Sequence, residues 1–427
     1  MAVSADDHEM RRIERSRRWR RSVLILGFSL LGTCWLNAAG LPSIKPCDDP
    51  SVQNKTGYRV CWDNGLVLDA PGGKIELVFG ARFLYDMAWF GQDDALEAGF
   101  GDIANDTEMR RASITIDGKL GDRIEFRVQP DFADFNNETR DVYIGFLNIP
   151  FFGRVRLGRQ KEPIGLNEQT GQLNITFMER SLNSTFTSNR NDGVSASRSF
   201  LDQRLEMKYG VYLGETSREG DRSFNLAGRI TSLPIRKSER EFLHLGFGYS
   251  LRQSKDNEAQ LKSRPEANLA PFLVDTGVFG QETVNFFAPE VAWVQGPLSI
   301  QSELAVGRMS SEPLGNPVFW AAYLQASFFL TGEHRVYQSP EGRFGRVHPR
   351  SNFLFSRGPG AWEVAARVSR IDLNSGPVQG GKLLDFTAGV NWYLSPWVRF
   401  MANYVHSRRD PEGSLNAFML RLQLGVR

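Results

Sequence analysis

LLDFTAGVNWYLSPWVRFMANYVHSRRDPEGSLNAFMLRLQLGVR, residues 383–427, is the stretch that decides the fold. Three apolar-rich runs (383–394, 397–407 and 416–427) are separated by Ser395-Pro396 and by a charged link. In the last run Phe418, Leu420, Leu422, Leu424 and Val426 share one face, while Met419, Arg421, Gln423, Gly425 and Arg427 share the other. Side chains of a strand alternate with period 2, so one face of this strand is apolar and the other is wet. Runs of about 10 residues that alternate in this way, set between short turns and longer polar links, are the pattern of a transmembrane β-barrel.

The same pattern extends back through the chain. Sixteen strand-like runs begin near Lys74, Thr107, Asp122, Thr139, Gly153, Asp192, Gln203, Arg222, Phe242, Thr283, Pro297, Pro317, Gly360, Leu383, Trp397 and Leu415. The sequence therefore predicts an all-β fold, a 16-stranded antiparallel barrel over residues 74–427. An even strand number suits a bacterial single-chain barrel. Leu120-Gly121-Asp122, Phe200-Leu201-Asp202, Gln295-Gly296-Pro297 and Ser395-Pro396 read as tight periplasmic turns. Longer links at 91–106, 161–191, 254–282, 331–359 and 408–414 are expected outside the membrane or folded into the pore. Mean hydropathy is only −0.34, which is no objection to a barrel, because only one face of each strand meets lipid.

Charge identifies the wet face. In IEFRVQPDF, Ile124, Phe126, Val128 and Phe132 point one way, while Arg123, Glu125, Arg127, Gln129 and Asp131 point the other. A basic side chain facing lipid at mid-membrane costs about 2–4 kcal/mol, so the charged face is the lumen. The same parity sends Arg82, Arg111, Arg154, Arg156, Arg204, Lys208, Arg229, Arg367, Arg399 and Arg421 inward, with Asp86, Asp117, Glu125, Asp131, Glu206 and Glu363 among them. Trp89, Phe90, Tyr209, Trp293, Trp320, Trp392, Tyr393 and Trp397 lie near strand ends, as interfacial girdles do.

The N-terminus reads as an export signal over residues 1–39. Seven arginines lie between Arg11 and Arg21, followed by apolar VLILGFSLLGTCWLNAAG and small residues. Its removal leaves 44 basic against 45 acidic residues, so net charge gives no argument for an anionic partner. The basic run belongs to the leader and offers no basis for nucleic-acid binding. Residues 40–73, polar and rich in turn formers, read as a periplasmic segment. Cys47 and Cys61 would meet an oxidising compartment, as a small disulfide loop or as two free thiols.

Several stretches together resemble the phosphate-selective porin O and P family: GGKIELVFGARFLYD (72–86), EMRRASITIDGKLGDRIEFRVQPDF (108–132) and DVYIGFLNIPFFGRVRLGRQKEPIGLNEQTGQLNITFMERSL (141–182). YLQASFFLTGEHRVY, FGRVHP, AWEVAARVS and TAGVNWYLSPWVRFMANYVHS continue the likeness in order. The resemblance implies an outer-membrane porin that assembles as a homotrimer, contacts outer-membrane lipid and the barrel assembly machinery, and passes small anions such as phosphate by diffusion with no cofactor. It also implies a loop, here about Lys161 to Asn191, folded inward as a constriction. Arg82 in FGAR and Arg110-Arg111 in EMRR match the family's pore arginines, and Arg123, Arg127, Arg154 and Arg156 extend a basic lining. Lys161, Glu162, Glu168 and Arg180 belong to the expected constriction loop. Glu168 stands where the family has a lysine, and Gly171, Gln172 and Leu173 stand where it has serines and a further lysine. These departures predict weak anion preference without a tight phosphate site. The family's final aromatic residue is also missing, since the chain ends Gly425-Val426-Arg427.

Catalysis has little support. The histidines are His8, His244, His334, His348 and His406; His406 has Ser407 and Asn403 nearby, but no motif that would position a nucleophile. No Gly-rich phosphate loop or metal-ligand spacing occurs. The sequence leaves a second reading from another class: a structural or adhesive barrel whose lumen is plugged by 254–282 and 331–359.

Overall fold

The computed structural model describes residues 46–48, 52, 57–133, 138–187, 190–216, 222–253, 257–411 and 413–427. The expected export signal lies outside the described residues. A hairpin of β1 (Arg59–Trp62) and β2 (Leu66–Asp69) precedes sixteen barrel strands. These are β3 (Ile75–Gln92), β4 (Asp106–Leu120), β5 (Ile124–Asp131), β6 (Glu138–Ile149), β7 (Gly153–Gln160), β8 (Asn191–Phe200), β9 (Leu205–Thr216) and β10 (Arg222–Ser238). Then follow β11 (Glu241–Gln253), β12 (Thr283–Gln295), β13 (Leu298–Met309), β14 (Val318–Phe329), β15 (Ala361–Ser375), β16 (Val378–Tyr393), β17 (Val398–Asp410) and β18 (Ser414–Val426). Each pairs antiparallel with its neighbours, and β18 closes on β3 with Arg421 opposite Asp86.

Burial is inverted relative to a water-soluble protein. Val128, Ile144, Leu157, Leu226, Phe247, Val291, Leu324, Val390, Phe400 and Phe418 are all exposed on the outer wall. Arg229, Arg367, Arg399 and Arg421 are buried inside. The alternation seen in residues 414–426 is therefore the wall itself, apolar outward and charged inward.

Most of the short turns gather at one rim. At two of them Gly121 (φ 57°) and Gly296 (φ 56°) take a left-handed conformation that costs a glycine little. Beside that rim, β2 pairs with residues 76–79 of β3, extending the sheet beyond the end of β18. Cys47 and Cys61 are joined there by a disulfide, with Cα atoms 4.8 Å apart.

Two expectations need correction. Arg123 and Arg204, assigned to the lumen by parity, sit exposed in the turns 121–123 and 201–204, where strand alternation has ended. Tyr393 is not a girdle residue but points inward, where its hydroxyl meets Glu363 and Arg399. The 331–359 link, expected outside the membrane or folded into the pore, follows β14, an even-numbered strand of the barrel, and so starts from the short-turn rim. From there it enters the lumen: Phe344 is fully buried against Leu166, Leu233, Phe242, Ala292 and Val294.

Candidate functional site

Residues 161–187, which follow β7, fold into the lumen and are mostly buried from Glu162 to Leu182. A loop inside a barrel must satisfy its backbone without water. Here the wall supplies most of the donors. Carbonyls of Leu173, Asn174, Ile175, Thr176, Met178 and Glu179 accept from Gln423, Arg335, Arg399, Asn391, Arg421 and Arg367 respectively. Met178, Leu182 and Phe186 add apolar contacts to Phe286, Phe319, Met401 and Met419. Many of the inward arginines thus anchor this loop, which removes them from direct contact with solutes.

Two further segments fill the same side. From the long-loop rim, the chain after β11 brings Glu266 to Arg367 (2.8 Å) and Asn268 to Glu108 (2.9 Å). From the short-turn rim, the segment after β14 brings Glu341 to Arg154 (2.7 Å), the Arg343 guanidinium to the Gln169 carbonyl (3.3 Å), and Tyr337 to His244 (2.6 Å). The open space is left against β3–β6.

That space is a cavity of about 490 Å³. Eight basic side chains line it, Arg82, Arg110, Arg111, Arg140, Arg180, Arg190, Lys262 and Arg264, against three carboxylates, Glu168, Glu179 and Glu266. Ser184, Thr185, Thr187 and Gln129 add neutral polar groups. Two register shifts build this density of charge. Leu84 pairs with Arg111 but Tyr85 pairs with Met109, so the strand bulges at Arg110 and both adjacent arginines turn inward. A second shift between Val128 and Pro130 does the same for Arg140 and Asp141. A β-bulge re-aims side chains in this way at the cost of one ladder position.

The partners of these cations differ. Arg110 makes a bidentate pair with Glu179 (2.9 Å for both bonds), and Arg421 approaches the same carboxylate at 2.7 Å. Burial pushes the Glu179 carboxyl up, but Arg110 and then Arg421 outweigh it and hold the group well below the usual carboxylate range. Arg111 bonds Asp131 (2.5 Å) and Gln172 (2.8 Å). Glu168 is clamped by Lys161 (2.8 Å) and Arg180 (2.9 Å), which overcome its desolvation and lower its pKa. Glu162, almost fully buried, accepts from Asn191 and Asn225 and faces Arg252, away from the cavity. Arg82 stands apart: among the described residues it makes no ion pair or hydrogen bond. The nearby carboxylates of Asp117 and Asp141 are engaged by Arg127 (2.5 Å) and Arg190 (2.7 Å).

The structure therefore brings Arg82, Arg110, Arg111, Glu168 and Arg180 to one cavity. Arg127, Arg154 and Arg156 lie on the wall below, each paired with Asp117 or Glu125; Arg123 is at the rim. Arg140, Arg190, Lys262 and Arg264 were not anticipated. The bulge hides Arg140 from a parity reading, and the others lie on loops where period 2 carries no signal.

Comparison with known proteins agrees with this geometry. Residues 84–425 match the family described as phosphate-selective porin O and P. Porin O of Pseudomonas aeruginosa is 23% identical over 406 residues, covering 84% of this chain and 90% of that protein. An uncharacterized protein of Caulobacter vibrioides is 27% identical over 312 residues, 70% of this chain, which spans 62% of the length of that relative. The anion-selective porin from Comamonas acidovorans superimposes with a TM-score of 0.51 at 12% identity, covering 82% of this chain and 99% of that one. A likeness at that identity speaks for the fold alone; the match over 84–425 speaks for kinship. The chain is thus an outer-membrane β-barrel and belongs to the phosphate-selective porin O and P family.

Proposed function

We propose that this barrel is a passive channel for small anions, with a preference for anions that is weak rather than phosphate-specific. One observation carries the reading: Arg82 faces the cavity with no partner among the described residues, while the cations around it are largely occupied by carboxylates. An anion pore needs positive charge that replaces part of the ion's hydration without holding the ion. Arg82 in a basic cavity fits that need, beside Lys262 and Arg264, which meet the Phe272 ring rather than a carboxylate among the described residues. Glu168, which takes up Lys161 and Arg180, argues against a tight phosphate site. On this reading solutes pass along the β3–β7 wall, the short-turn rim faces the periplasm, and three chains form the working unit. Transport needs no catalytic group, and the family and fold are those of channels.

Reversal potentials across planar bilayers in a potassium chloride gradient test the proposal. The wild-type channel should favour chloride modestly, Arg82→Glu should reduce or invert that preference, and phosphate at micromolar concentration should leave the chloride current intact. Strong cation selectivity in the wild type, or micromolar phosphate block, would overturn it. The three inward segments also favour a second reading, a plugged structural barrel. Steady single-channel conductance excludes that reading, and its absence supports it. Trimer assembly is checked by the mass of the detergent-solubilised complex.

A further inference from the structure

The segment that enters the lumen after β14 also leaves it, and its exit differs from every other turn at the short-turn rim. Residues Phe353–Ser356 form a single helical turn held to the wall by the Phe353 amide donating to the Leu394 carbonyl (2.8 Å). The Phe353 ring meets the outward-facing Trp392 edge-on, with centroids 4.8 Å apart. Trp392 stacks on Trp362 at 5.1 Å and neighbours Phe400 at 6.2 Å. Both indole N–H groups donate to the Pro359 carbonyl, at 3.2 Å from Trp362 and 2.9 Å from Trp392. One carbonyl thus fixes two rings, leaving their faces outward with no polar group unmet.

Around them Phe353 is 45% exposed, Leu354 41%, Leu330 62% and Phe328 41%. This apolar surface is continuous with the lipid-facing belt of Val364, Val390 and Phe400. Left in water it would be unfavourable in proportion to its area, and amphipathic indoles favour the headgroup level of a bilayer. Arg357, exposed and two residues before Pro359, lies between Phe353 and Trp362 in the chain, and no described residue pairs with it.

We infer that the Phe353–Trp362–Trp392 cluster with Arg357 is a binding site for an anionic phospholipid of the leaflet at the short-turn rim. The acyl chains would lie against Phe328, Leu330 and Leu354, and the phosphodiester would accept from the guanidinium. Such a site would hold the outer end of the inward segment in the membrane interface, coupling lipid composition to one of the three segments that fill the lumen.

Tryptophan quenching in reconstituted vesicles tests this with the full chain. The fluorescence of the two rings is the difference between wild type and the Trp362→Phe/Trp392→Phe variant. Brominated phosphatidylglycerol should quench it at about fivefold lower mole fraction than brominated phosphatidylcholine, the weight of one basic residue at a membrane surface. Arg357→Ala should abolish the difference while quenching by brominated phosphatidylcholine persists. Equal quenching of that difference signal by both lipids would overturn the anionic preference. Quenching by neither would mean the cluster lies in water or under protein, and would overturn the site. Heat-modifiable gel mobility checks the folding of each variant, and the single variants Trp362→Phe and Trp392→Phe give the same difference one ring at a time if the double variant does not fold.

Discussion

Arg421 joins more of this molecule than any single contact suggests, and its replacement by Met is the most informative perturbation. Its guanidinium makes two bonds of 2.6 Å to Asp86 across the seam where β18 closes on β3. It also reaches Glu179 (2.7 Å) and the Met178 carbonyl on the inward loop after β7. Arg421 is 1% exposed and Asp86 4%. Arg421→Met keeps much of the volume but leaves Asp86 as a buried carboxylate without its partner, while Glu179 retains Arg110. Removing one member of a buried pair costs about 3–5 kcal/mol, mostly the penalty of the charge left behind. Arg421→Met combined with Asp86→Leu removes that charge and should recover roughly half or more of the loss. Urea titration of intrinsic fluorescence in detergent micelles measures both variants. Single-channel recording should show added current noise in Arg421→Met, because the loop has lost one of its wall donors. A loss below about 1 kcal/mol, or a double variant as unstable as the single one, would refute the assignment of Arg421 as a buried anchor.

Two other outcomes follow from the same geometry. Glu168→Lys changes the local charge by two where Lys161 and Arg180 already sit; at about 10 Å in a water-like dielectric this favours chloride and disfavours potassium by about 0.8 kcal/mol each, or roughly a sixteenfold rise in chloride over potassium permeability, read from reversal potentials. For Glu179, the depressed carboxyl pKa means that its stabilising effect is full above the unfolded value of about 4.3 and fades as pH falls below it. The difference in urea midpoint between wild type and Glu179→Gln should be constant from pH 8 to about pH 5 and shrink toward pH 3; a difference that grows on acidification would contradict the pairing of Glu179 with Arg110 and Arg421.

Much of the wall was legible because alternation is local. A strand facing lipid on one side and water on the other must write period 2 into its residues, so β18, β17 and β5 could be read with their faces. Even the entry side of 331–359 was implicit, since a link after an even strand returns to the rim where the barrel began; the length of the segment obscured that parity. Local period also misleads where the backbone departs from it, as at Arg123 and Arg204, which lie just past strand ends, and at the Arg140 bulge.

By itself, then, the amino-acid order determined which side chains meet hydrocarbon and which meet the lumen, because that choice is made residue by residue against two solvents. It could not determine which lumen arginines are left for solutes. Arg110 finds Glu179 across 69 positions of chain, Arg421 finds Asp86 across 335, and Arg367 finds Glu266 across 101. Only closure of the barrel and the infolding of three separate segments bring those charges within bonding distance, and only then does Arg82 emerge without a described partner.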